Sequence, residues 1–232
     1  MKQDKKFKSN IKYFTKSEIL KYIGVGLVIL SVAIYFIDFF CGWFAYLILI
    51  LGLPAGIVLF LISTGRASDD EINTYIKLHT KGIGEEVEDE KNFRKRLLDR
   101  QPPIVFEGHD FEDGVMITKA KNGSLVSSVF TKAIIFPLDT GIHVSYRTIS
   151  LISDEIKEDS FEIGYSDISS FKMNDEKKQI VFGKKKFTPH DIRLVINYSG
   201  VKTISLPMQD NMDTENFIKK INEMMAKAKE AK

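Results

Sequence analysis

Between Lys21 and Arg66 the chain runs for 44 residues without a lysine or an arginine. Two apolar runs lie inside this block. Tyr22 to Phe40 holds one charge, Asp38, near its end, and Phe44 to Ile62 holds none. Each run has 19 residues, or roughly 28 Å as α-helix at about 1.5 Å per residue, close to the ~30 Å hydrocarbon core of a bilayer. Buried helices of soluble proteins are rarely this long and this free of charge. The pattern predicts a two-helix transmembrane hairpin over residues 22–65, with the lipid bilayer as its first partner.

Local chemistry agrees. Thr15-Lys-Ser-Glu18 reads as a capping box ahead of the first run. Asp38 would cost about 2.5 to 3.5 kcal/mol or more at mid-membrane, so it is expected at the far interface. Trp43, Phe44 and Tyr46 stand where an aromatic belt is expected. Pro54 predicts a kink. Gly52 and Gly56, four apart, form a candidate helix-packing face, since small residues let backbones approach where lipid supplies no hydrophobic drive. Its partner is either the first helix, through Gly24, Gly26, Ser31 or Ala33, or a second copy of the chain. Cleavage as a signal peptide is not expected: no A-x-A-like site follows, and a second span does.

Residues 1–21 carry seven lysines against Asp4 and Glu18, whereas the 38–43 turn has no basic residue. The positive-inside rule therefore predicts a multi-pass protein of the cell membrane with both termini cytoplasmic. Phe7, Ile11 and Phe14 recur at spacings of four and three. The basic tail 1–21 thus reads either as an amphipathic segment lying on anionic lipid or as a disordered tail.

Ser68-Asp-Asp-Glu71 is a second capping box, opening a helix with Ile72, Tyr75, Ile76 and His79 on one face. Gly82 and Gly84 break it. Lys81-Gly-Ile-Gly84 lacks the preceding strand of a phosphate loop and reads as a helix breaker. Glu85 to Arg100 has acids first and bases last, which suits the helix dipole, but its apolar face is thin. Residues 66–100 are expected to form a solvated helical stalk, ended by Gln101-Pro102-Pro103.

From Ile104 the apolar period drops to two, in short runs separated by Gly, Asp and Asn turns. That predicts an antiparallel β-sandwich or barrel over residues 101–232. Within Ile142–Leu151 the apolar parity switches between Tyr146 and Ile149, which predicts a bulge near Arg147. Phe217, Ile218, Ile221, Met224 and Met225 then form one stripe of a C-terminal helix that must bury itself on the sheet. The whole reads as a membrane-anchored α+β chain.

Two phrases carry a family likeness: Phe161-Glu-Ile-Gly-Tyr-Ser-Asp-Ile-Ser-Ser-Phe171 and Leu194-Val-Ile-Asn-Tyr-Ser-Gly-Val-Lys-Thr-Ile-Ser-Leu206, followed by a helix. Over about residues 124–228 the chain resembles the bacterial PH-like and GRAM-like domains. The resemblance implies a PH-like fold closed by its C-terminal helix and a binding or assembly role, with a protein partner or self-association. It departs at the first hairpin loop, where phosphoinositide binders are basic: Pro137-Leu-Asp-Thr-Gly141 is acidic. The basic cluster lies on a later hairpin, at Lys184, Lys185 and Lys186. It reads either as a lipid-headgroup contact or as a protected sheet edge.

Chemistry is sparse. A net charge of +2 excludes a broadly basic nucleic-acid binder, and one cysteine, Cys41, excludes a multi-cysteine metal site. His109-Asp110 and His190-Asp191 are isolated pairs without metal-site spacing. Asp139-Thr-Gly141 matches the aspartic-protease triplet, but it is also good turn chemistry. No catalysis and no cofactor are expected. The alternatives are a cryptic hydrolase using Asp139 and an oligomeric transport or pore subunit assembled through Gly52 and Gly56.

Overall fold

The computed structural model describes residues 3–15, 19–37, 43–83, 96–98, 102–177, 179–183, 185–208 and 212–230. The chain is α+β and divides into two compact units, Met1–Glu71 and Ile72–Lys232. Asp38, Cys41, Lys184 and most of the segment read as a second stalk helix lie outside the described residues.

The first unit is helical. α1 (Gln3–Thr15) is followed by α2 (Ile19–Ile37) and α3 (Trp43–Ser63). The amino-terminal segment is thus an ordered helix rather than an irregular tail. Its Phe7, Tyr13 and Phe14 are buried. Lys12 Nζ donates to Thr64 O at 2.7 Å, the Ala67 amide donates to Ser9 O at 3.1 Å, and Tyr13 OH donates to Asp69 Oδ1 at 2.8 Å. Arg66 stacks its guanidinium over the Tyr13 ring at 4.9 Å. Thr15 ends α1 with its hydroxyl donating to Ile11 O at 2.9 Å, and Glu18, the other half of the capping box read there, lies outside the described residues.

Helices α2 and α3 pack at a pair of glycines. A Cβ on Gly24 would lie 2.8 Å from Gly56 O, and one on Gly56 would lie 2.8 Å from Gly24 O. Only a missing side chain at both positions lets the backbones come this close. Around this contact the outward residues are apolar: Ile29, Leu30, Ile50, Leu51 and Leu61 are each more than half exposed. Among the described residues no single helix is long and apolar enough to cross a membrane. One pair, Phe7–Thr15 with Ile19–Ile34, bent by 84°, meets that test together, and Ile50–Ser63 is a shorter apolar helix.

The Ser68 capping box opens α4 (Asp69–His79) as read: the Ser68 amide donates to Glu71 Oε2 at 2.7 Å and the Glu71 amide to Ser68 Oγ at 3.2 Å. Ile72 and Ile76 form its buried face.

The second unit is built on strands. β1 (Ile104–His109), β4 (Val129–Pro137), β5 (Gly141–Ser150) and β6 (Ile156–Gly164) form a four-stranded antiparallel sheet in the order β1-β4-β5-β6. β7 (Ile168–Lys177), β10 (His190–Tyr198) and β11 (Lys202–Pro207) form a three-stranded antiparallel sheet in the order β11-β10-β7. Two small hairpins complete it: β2 (Ile117–Lys119) with β3 (Leu125–Ser127), and β8 (Ile180–Phe182) with β9 (Lys185–Phe187). One core joins the large sheets, with Phe106, Ile135, Val144, Ile168, Leu194 and Ile196 at its centre. The terminal helix α5 (Met212–Glu230) buries Phe217, Ile221 and Met225 in that core. Fully burying side chains of this size stabilises by about 1.5–3 kcal/mol each.

Two expectations are corrected. No bulge occurs at Arg147: the register of β5 with both neighbours runs unbroken from Ile142 to Ile149, and the shift lies at Asn197/Tyr198 instead. The parity switch has another cause, since both faces of this sheet are covered. Ile142 and Val144 face the main core, whereas Ile134, Phe136 and Leu138 pack with Ile83 and Leu97 on the other side. The second correction follows from that packing. Leu97 pairs with Leu138 as an isolated antiparallel bridge, Arg96 O accepts the Asp139 amide at 3.0 Å, and Leu98 is buried. At 83 and 96–98 the segment is docked on the sheet, not held in solvent as a stalk. A mere thin apolar face suffices there because the sheet offers a matching one.

Candidate functional site

The richest polar constellation lies where the loop after β1 meets β10. Arg193 Nη2 stands 2.8 Å from Asp110 Oδ1, and Nη1 stands 3.6 Å from Asp191 Oδ2. Arg193 Nε donates to Ser205 Oγ at 2.6 Å and Nη2 to Ser205 O at 3.0 Å. Thr131 donates a short hydrogen bond to the other Asp110 oxygen and meets the Thr148 hydroxyl at 2.8 Å. Burial pushes the Asp191 carboxyl above its usual range. Arg193 opposes that shift, and the Asp110 charge adds to it. Gly108 permits this seam, because a Cβ there would lie 3.0 Å from Pro207 Cβ on β11.

A cavity of about 370 Å³ opens beside the cluster, lined by Thr131, Thr148, Tyr146, Lys157, Thr203 and Ser205 among others. Two carboxylates share one guanidinium there, so the cluster keeps one negative charge when both acids are ionised. The cluster joins elements of the two large sheets. A second hollow of about 420 Å³ lies between α4 and the β1–β4 pair, lined by Asn73, Lys77, Glu107, His109 and Lys132. Burial pushes His109 down to about 4, against the Ser127 carbonyl it contacts through Nδ1 at 3.1 Å. At neutral pH it is an uncharged wall of that hollow.

The residues singled out in the sequence are scattered. Asp139 is exposed at the tip of the turn between β4 and β5, not recessed in a concave site. Lys185 and Lys186 are exposed on β9. Gly56 is buried against Gly24, while Gly52 is half-buried. The two His-Asp pairs, isolated in sequence, deliver Asp110 and Asp191 to the same guanidinium, whereas His190 pairs instead with Asp175 at 2.6 Å. Nothing in local spacing signals that meeting. Ser160 Oγ and His143 Nε2 lie 2.9 Å apart, but Ser160 sits on the exposed surface of edge strand β6, where a substrate would remain in water. Among the described residues no group of three or more His, Cys, Asp or Glu is placed to hold a metal ion.

No protein-family model matches the chain, and comparison with curated proteins and with solved structures yields no match.

Proposed function

We propose that this chain is an integral membrane protein whose α2–α3 hairpin crosses the bilayer and whose PH-like β domain is a cytoplasmic binding or assembly module. The observation that carries the reading is the outward apolar surface of α2 and α3, set in a block with no lysine or arginine between Lys21 and Arg66. Water would meet Ile29, Leu30, Ile50, Leu51 and Leu61 on that surface, and large exposed apolar surfaces mark membrane or partner contacts. Counted over their full bounds, which run past the described apolar stretches, the helices have 19 and 21 residues, or roughly 28 and 31 Å, close to the ~30 Å of a hydrocarbon layer. A four-stranded and a three-stranded antiparallel sheet around one core, closed by α5, support the PH-like part.

The alternatives have less support. A hydrolase at Asp139 needs a recessed carboxylate, and this one is exposed. A pore assembled through Gly52 and Gly56 needs that face free, and Gly56 is taken by Gly24 of the same chain. Fractionation of cells expressing the full chain tests the proposal. The protein is expected to stay with membranes after alkaline carbonate washing and to require detergent for release. Recovery as a detergent-free monomer in the high-speed supernatant overturns it. Crosslinking in native membranes tests the module: adducts with a partner protein are expected, and monomer alone counts against an assembly role.

A further inference from the structure

Resting on that membrane reading, we infer that α1 is a collar lying in the plane of the bilayer, whose lysines bind the headgroups of anionic phospholipids. Geometry is the starting point. Helix Phe7–Thr15 and helix Ile19–Ile34 are bent by 84°. If α2 follows the bilayer normal, α1 runs along the surface. Its depth is set by contacts with the exit of α3: Lys12 Nζ sits on Thr64 O, one residue past the end of that helix, and the Ala67 amide sits on Ser9 O. This is headgroup level for a chain leaving the hydrocarbon.

The charges then fall in place. Lys8 and Lys12 lie four apart and share one helix face. Phe7, Asn10, Tyr13 and Phe14 are buried on the other side. Lys8 and Lys21 are exposed. Arg66, over the Tyr13 ring, joins the same end of the hairpin. Because the apolar face of α1 is already covered by its own chain, insertion into lipid is not what holds it at the surface. Ammonium groups facing anionic phosphates are the remaining attraction. Each lysine near such a surface contributes a factor of about five in binding. The partner is therefore a lipid with net negative charge, not a zwitterionic one.

The test uses the full chain reconstituted in vesicles of phosphatidylcholine mixed with phosphatidylglycerol. Lipid retained after mild detergent release is counted by native mass spectrometry. Wild type is expected to retain phosphatidylglycerol over phosphatidylcholine. The variant Lys8→Glu with Lys21→Glu leaves the Lys12–Thr64 bond in place and is expected to lose that preference by about five-fold or more. Lys185→Glu with Lys186→Glu, on β9, is expected to keep it. Equal retention of the two lipids by wild type, or loss of preference only in the β9 variant, overturns the collar while leaving the membrane reading intact. Failure of the chain to enter vesicles at all overturns both.

Discussion

Asp110 and Arg193 meet at 2.8 Å with side chains only 10% and 13% exposed, tying the loop after β1 to β10. Removing Asp110 leaves the guanidinium only the more distant Asp191 as counter-charge, at a cost of up to about 3–5 kcal/mol. Asp110→Ala is therefore expected to lower the urea midpoint of the full-length protein in detergent, followed by circular dichroism. Combining it with Arg193→Met should cost less than the two single changes summed, because the Asp110–Arg193 contact is then lost only once. A double variant as unstable as the sum of the singles would show that the pair is not coupled.

His109 predicts a pH dependence. Burial holds its folded pKa at about 4, below the ordinary value of 6.5. The folded state resists a proton that the unfolded chain accepts. Its stability is therefore complete above about pH 6.5 and is lost as pH falls toward 4, by about 3 kcal/mol in all. His109→Gln cannot be protonated, so its urea midpoint should fall less than wild type's between about pH 7 and 4.5. Equal falls in the two proteins would rule His109 out as the titrating group.

What the sequence disclosed and what it hid divide along chain distance. The Ser68–Glu71 box closes reciprocally because its partners are three residues apart. The strands were legible from a period of two and the terminal helix from its Phe217–Ile221–Met225 stripe, all local patterns. The Asp110–Arg193–Asp191 cluster was not, because only strand order brings its members together. The false bulge at Arg147 arose in the same way: parity says which face a residue takes, not whether that face is covered, and Ile83 and Leu97 cover it. Lys12 on Thr64 was likewise hidden, since α1 and the end of α3 are joined by tertiary contact alone.

Tyr165 gives the Gly164-Tyr-Ser-Asp167 phrase a structural role. Its side chain is buried in a 3-10 turn after β6, and its hydroxyl donates to Leu138 O at 2.9 Å. Burial pushes its pKa up to about 12, so it stays a neutral donor. Tyr165→Phe keeps the ring and orphans the carbonyl, at a cost of about 1–3 kcal/mol. Thermal unfolding monitored by circular dichroism should show a lower midpoint. An unchanged midpoint would mean that water replaces the hydroxyl.

The two glycines of α2 differ in surroundings and so should differ in tolerance. A Cβ at Gly26 meets nothing within 4 Å, whereas one at Gly24 comes within 2.8 Å of backbone atoms of Gly56 and Phe60. Gly26→Ala removes a helix-interior glycine and should stabilise by about 0.5–1 kcal/mol. Gly24→Ala must push α3 away or displace backbone, an overpacking penalty of about 1–3 kcal/mol. Gly56→Ala should behave as Gly24→Ala does, because its Cβ meets Gly24 O and the Val28 backbone amide nitrogen. The measurement is resistance of each variant to SDS in mixed micelles, read by helical circular dichroism. Equal resistance of Gly24→Ala and Gly26→Ala would mean that close approach at the Gly24–Gly56 crossing contributes nothing to holding the helices together.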